Sequence, residues 1–123
     1  MRISETREDY LEKILMIHQD KGIARSIDIA NMLDISKPTV SIAMRKLEDE
    51  GFITMNDHKD ISLTESGKAI AEKTYEKHEL VAKILISLGV SKEQAYIDSC
   101  HIEHCLSDES FAAIKKRVEE NGL

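Results

Sequence analysis

A chain of 123 residues has room for one domain or two small lobes sharing a core. A single proline and few aromatic residues suit a mostly helical protein, and no apolar run approaches the ~20 residues needed to span a bilayer. Arg2, Glu5, Arg7, Glu8, Asp9, Glu12, Lys13 and Asp20 near the N-terminus exclude a secretory signal, so a cytoplasmic protein is expected. The net charge of −6 weighs mildly against nucleic acid, because phosphate contact needs positive charge. Residues 36–46, however, carry Lys37, Arg45 and Lys46 and no acid, and an acidic protein can still present a local basic patch.

Residues 5–20 read as a helix, with Leu11, Ile14, Leu15 and His18 as one stripe and Asp9, Glu12 and Met16 nearly opposite. Lys21-Gly22 ends it. A short second helix over 26–33 takes Ser26 as its N-cap and turns Ile27, Ala30 and Leu33 inward. After the turn at Asp34-Ile35, Ser36 caps a third helix with Pro38 in its first turn, where a missing N–H costs least. Val40, Ala43, Met44 and Leu47 form its buried stripe, and Gly51 stops it. Phe52–Met55 and Asp60–Leu63 are short β-type runs around Asn56-Asp57-His58-Lys59, a hairpin signal. Thr64-Glu65-Ser66-Gly67 begins a long fourth helix reaching to about Leu88, closed by Gly89. Ser91 caps a fifth helix over about 92–105, and Ser107 opens a sixth over about 108–120.

A short helix, a turn, a capped helix and a hairpin make the winged helix-turn-helix pattern, so the fold class is mainly α with a two-stranded wing. The third helix is the expected recognition helix. Ser36, Lys37, Pro38, Thr39 and Ser41 lie at its N-terminal end, with Arg45 and Lys46 a turn further along for phosphate or a guanine edge. His58 and Lys59 occupy the wing tip, against the DNA backbone or minor groove. The bland alternative is a compact helical lobe with a solvated polar face, or a protein-interaction module.

Metal-capable side chains fall in three places: Asp9 and Glu12 on the first helix, His78 on the fourth, and Cys100, Glu103 and His104 on the fifth. The last three are spaced i, i+3, i+4 and share one face of a helix. Carboxylates and imidazole suit Mn²⁺ and Fe²⁺; a thiolate moves preference towards Fe²⁺, Zn²⁺, Co²⁺ or Ni²⁺. Each residue also has an ordinary explanation. Asp9 and Glu12 read singly as solvated acids near a helix N-terminus, His78 as a satisfied core histidine, Cys100 as a small buried hydrophobe and Glu103 as a surface charge. Cys100 and Cys105 diverge on one helix, which argues for free thiols in a reducing compartment. His101 and Cys105 pair on another face and read as structural or incidental.

The chain resembles the diphtheria toxin repressor family of metal-dependent regulators, in particular its short manganese transport regulator branch. The resemblance covers nearly the whole chain. It rests on Glu8-Asp9-Tyr10-Leu11-Glu12, the Ser26–Gly51 helix-turn-helix, Leu63-Thr64-Glu65-Ser66-Gly67, His78-Glu79-Leu80 and Ile102-Glu103-His104-Cys105-Leu106-Ser107. It implies a DNA-binding domain over 1–64, a helical metal-binding and dimerisation domain over 65–123, a homodimer on a pseudo-palindromic operator, and repression of metal-uptake genes in the presence of Mn²⁺ or Fe²⁺. It also implies that Asp9, Glu12, His78, Glu103 and His104 are ligands of the manganese type. Cys100 departs from that pattern: the manganese branch has glutamate there, and the iron branch cysteine. Asp9 departs from the iron branch, which has methionine. The site is therefore a hybrid, with metal and ion count open. Ala82 stands where the iron branch carries a second-site glutamate four residues after the histidine, and the chain ends too early for the SH3-like domain of long members.

Two rivals remain. One is a winged-helix regulator sensing a thiol oxidant or small organic ligand through Cys100 and Cys105. The other is a metalloenzyme or storage bundle, disfavoured because Glu103 and His104 are adjacent rather than spaced as Glu-x-x-His, and because no nucleophile–base pair or phosphate loop is present. An enzyme is not expected.

Overall fold

The computed structural model describes residues 7–122. Six helices and one hairpin follow in order: α1 (Arg7–Lys21), α2 (Ser26–Leu33), α3 (Lys37–Asp49), β1 (Ile53–Met55), β2 (Ile61–Leu63), α4 (Glu65–Ser87), α5 (Lys92–Ile102), a 3₁₀ turn (Glu103–Cys105) and α6 (Asp108–Glu120). The chain forms two compact units, one reaching to Lys73 and the other starting at Thr74, so their border falls inside α4. Among the described residues no helix is long and apolar enough to cross a membrane.

The first unit is a winged helix-turn-helix. Its core holds Leu11, Ile14, Ile29, Val40, Met44, Ile53 and Ile61, all essentially inaccessible to solvent. α3 starts as its sequence dictates: Ser36 Oγ accepts from Thr39 N at 3.3 Å, and Pro38 sits in the first turn. β1 and β2 pair antiparallel with Ile53 opposite Leu63 and Met55 opposite Ile61. A single bridge from Ala24 to Ile61 covers the outer edge of β2, and His18 Nε2 donates to the Ile61 carbonyl at 2.6 Å. Both polar groups of Ile61 on that edge are thereby satisfied without a further strand. Asn56 organises the wing tip, its Oδ1 accepting from His58 N and Asp60 N, both at 2.9 Å. Arg25 Nε donates to Asp60 Oδ1 at 2.8 Å and holds that carboxyl below its ordinary range.

The Leu63–Gly67 motif has a mechanical role. Thr64 Oγ1 donates to the Gly51 carbonyl at 2.7 Å, and Thr64 N donates to the Phe52 carbonyl at 3.0 Å. Gly67 then passes so close that a Cβ there would overlap the Phe52 carbonyl oxygen. The start of α4 is thus tied to the chain leaving α3.

Three expectations about elements change. The helical backbone of α2 begins at Ser26, so the N-cap is Arg25, whose backbone N–H is held by Asp28 Oδ2 at 3.1 Å. Ile27 is exposed, while Ile29 and Ala30 are buried. Ile27, Ile29, Ala30, Met32 and Leu33 are more apolar residues than one stripe of two turns can bury, and packing selects the stripe through Ile29. Finally, α5 stops at Ile102, and Glu103–Cys105 tighten into a 3₁₀ turn, a common way to finish a helix.

The second unit consists of the rest of α4 with α5, the 3₁₀ turn and α6. Ser107 caps α6, accepting from Ser110 N at 3.1 Å. Val81, Ala82, Ala95, Phe111 and Val118 are buried apolar residues, and they share the interior with four polar ones: Thr74, His78, Ser99 and Glu103. So polar an interior in so small a unit needs a chemical reason.

Candidate metal centre and nucleic-acid interface

His78 stands on the buried stripe of α4, in line with Ala71 and Val81. Its Nδ1 faces three groups of α5 and the 3₁₀ turn: Ser99 Oγ at 2.8 Å, Glu103 Oε2 at 3.0 Å and Cys100 Sγ at 3.7 Å. One N–H cannot serve three acceptors, so the arrangement is richer than a satisfied core histidine requires. The rings of Tyr75 and Tyr96 lie 6.4 and 5.4 Å from the imidazole, and Tyr96 is itself anchored by donating to Glu79 Oε2 at 2.9 Å. Burial works against the imidazolium. Hydrogen bonding and charge from Cys100 and Glu103 outweigh it, and the His78 pKa is pushed up to about 10.

Glu103 is 2% exposed, not the surface charge its sequence allowed. Its Oε1 is buried and accepts no hydrogen bond from any described residue; His104 Nε2 lies 3.4 Å from it. A buried anionic oxygen left in this state is costly, and a cation is the group that relieves it. Thiol, carboxylate and two imidazoles also form a donor set suited to a divalent transition ion. The residues fit a metal.

Of the six ligand candidates, the second unit therefore brings together His78, Cys100, Glu103 and His104. Asp9 and Glu12 lie on α1 of the first unit. They are 2% and 0% exposed, so the reading as solvated acids is wrong. Lys13 Nζ lies 3.4 Å from Glu12 Oε1. Cys100 is half-buried, Cys105 exposed, and both thiols are free. Cys105 spends its S–H on the His101 carbonyl at 3.7 Å, which leaves the His101/Cys105 pair a local contact. Sequence reasoning missed Ser99, which is fully buried and also donates to the Tyr96 carbonyl at 3.2 Å. The signal was present: Tyr96, Ser99, Cys100 and Glu103 follow three- and four-residue spacing on one face.

On the first unit, Ser36, Lys37, Pro38, Thr39, Ser41, Arg45, Lys46, His58 and Lys59 are all exposed. Ser41 and Arg45 border a cleft with Lys59 of the wing. Lys46 borders a different groove with Arg7, Tyr10 and Thr39. Arg45 and Lys46 thus project on either side of α3, a spread suited to the two phosphate walls of a groove. Lys59 adopts a left-handed backbone (φ 64°), which turns the chain at the wing tip.

A winged helix whose third helix is capped, basic and exposed, together with a unit containing a buried carboxylate–imidazole–thiol cluster, defines a metal-dependent DNA-binding regulator. Comparison with known proteins agrees. The family model described as iron dependent repressor, N-terminal DNA binding domain, matches residues 2–61. The one described as iron dependent repressor, metal binding and dimerisation domain, matches residues 64–121. Transcriptional regulator MntR of Escherichia coli O6:H1 is 34% identical over 118 residues, covering 96% of this chain and 76% of the relative. The HTH-type transcriptional regulator MntR of Bacillus subtilis is 35% identical over 112 residues, covering 91% and 79%. The solved structure of T. acidophilum IdeR superposes with a TM-score of 0.83 at 29% identity, covering 98% of this chain and 55% of that one. A manganese-dependent transcriptional repressor in complex with manganese gives 0.84 at 26% identity, covering 93% and 53%. The chain spans about half the length of those solved chains. It belongs to the iron-dependent repressor family of metal-dependent transcriptional regulators, and is a DNA-binding protein of that family rather than an enzyme.

Proposed function

We propose that this protein is a homodimeric repressor that occupies a pseudo-palindromic operator when Mn²⁺ or Fe²⁺ is plentiful in the cytoplasm, and so shuts off metal uptake. The observation that carries the metal half of this reading is the buried Glu103 carboxylate, set 3.0 Å from His78 and 3.4 Å from His104. In this proposal His78, Cys100, Glu103 and His104 hold a divalent ion together with Asp9 and Glu12. Residues 1–64 bind DNA, and residues 65–123 bind metal and dimerise. When bound, the ion supplies positive charge and directional bonds to ligands that otherwise repel one another. Ser99 and the Tyr96–Glu79 pair keep the imidazole of His78 in register. Asp9, Glu12 and Glu103, all buried acids, gain from neutralisation. Freed of mutual repulsion, the ligand-bearing helices populate a narrower range of arrangements, and DNA selects the one in which both recognition helices reach successive major grooves. Ser36, Lys37, Pro38, Thr39, Ser41, Arg45 and Lys46 on α3, with His58 and Lys59 on the wing, form the DNA-facing surface.

The named relatives include MntR regulators, and one solved neighbour is a manganese-dependent repressor holding manganese. Both support Mn²⁺. Cys100 speaks for a softer ion such as Fe²⁺, or for Zn²⁺, Co²⁺ or Ni²⁺. Titrating Mn²⁺, Fe²⁺ and Zn²⁺ against binding to a selected operator duplex decides the matter. At least one ion should raise affinity tenfold or more, and Glu103→Gln should abolish the response. A metal-insensitive complex that peroxide disrupts would instead establish thiol sensing.

A further inference from the structure

Ile42 has no part in the fold or in the polar DNA-facing set, yet it is 69% exposed. Single apolar residues on a surface are ordinary; its position is not. Val40, Met44 and Leu47 are the buried stripe of α3. At about 100° per residue, Ile42 points almost directly away from that stripe. Pro38 and Lys46 lie four residues to either side of it, and Thr39 and Arg45 three, so it sits at the centre of the face those residues frame. The middle of the recognition face is therefore apolar.

Resting on the DNA-binding reading above, we propose that Ile42 is a specificity-determining residue that packs on the C5-methyl of a thymine in each operator half-site. Its side chain has no donor or acceptor, so it cannot read the hydrogen-bonding pattern of a base edge. The thymine methyl is the one apolar group the major groove displays. Branching at Cβ stiffens χ1, so little side-chain freedom is lost on docking. The flanking Arg45 and Lys46 supply the charge that holds the helix in the groove.

The test starts from duplexes selected from a random pool by the full chain loaded with Mn²⁺. Each thymine of the selected site is then replaced in turn by deoxyuracil, which removes the methyl and keeps every hydrogen-bonding group. At one position per half-site the wild-type chain should lose roughly fourfold in affinity, the worth of burying about one methyl group. Ile42→Ala, an exposed substitution expected to leave Tm unchanged, should bind the thymine and deoxyuracil duplexes equally at that position. Equal penalties for both proteins at every thymine would overturn the proposal while leaving DNA binding intact. Failure to enrich any duplex with Mn²⁺, or with Fe²⁺ or Zn²⁺ in its place, would overturn the regulator reading, and this inference with it.

Discussion

As a ligand in the proposed metal site, His78 must give up a proton before it can hold a cation. Its pKa is pushed up to about 10, against an ordinary value of 6.5, because Cys100 and Glu103 stabilise the imidazolium more than burial penalises it. The folded chain therefore holds this proton more tightly than the unfolded chain does. The stabilisation is complete below about pH 6.5 and is lost as pH rises through about 10. In the proposed site metal competes with that proton, so uptake near neutral pH should release a proton from His78, and apparent metal affinity should rise with pH. Isothermal titration in two buffers of different ionisation enthalpy measures that release, and His78→Ala should eliminate its share. The residue scale is also where sequence reading was partial. His78, Glu103 and His104 are legible as ligand types; helical spacing puts Ser99 on the same face as Cys100 and Glu103, but its role is visible only once it lies 2.8 Å from an imidazole.

Elements were legible where local chemistry governs them. Ser36, Ser91 and Ser107 each cap the helix assigned to them, since capping is settled within a few residues. The α2 cap slipped to Arg25 because Asp28 can hold its N–H from the third helical position. The buried face of α2 and the end of α5 differ from expectation, because packing selects the stripe through Ile29 and the last residues expected in α5 tighten into a 3₁₀ turn. Gly67 gives a prediction at this scale. Glycine inside a helix ordinarily costs about 0.5–1 kcal/mol relative to alanine, so Gly67→Ala on an isolated helix should stabilise. Here the added Cβ meets the Phe52 carbonyl, and the sign should reverse to a loss on the order of 1–3 kcal/mol. Thermal denaturation should show Tm falling by several degrees; a rise would mean that α4 does not approach the α3 exit so closely.

At the scale of the whole molecule, a pseudo-palindrome needs two recognition helices, hence two chains. The second unit leaves Ile86, Leu88, Ile97 and Ile102 at its surface, with Leu88 75% exposed. In the proposed homodimer these residues are the candidates for the interface. Leu88→Lys places a charge within it, and sedimentation at micromolar concentration should show a shift from dimer towards monomer, with weaker operator binding. An unchanged dimer would place the interface elsewhere.

The sequence by itself determined the starts of α3, α5 and α6, the hairpin and the exposed face of α3, because caps, breakers and hydrophobic periodicity act over a few residues. It also determined which side chains have metal chemistry, since that is a property of their atoms. Only the tertiary structure decided that Asp9, Glu12 and Glu103 are buried and that Ser99 and Cys100 meet His78. Burial and convergence depend on residues far apart in the chain, and no local rule of spacing contains them.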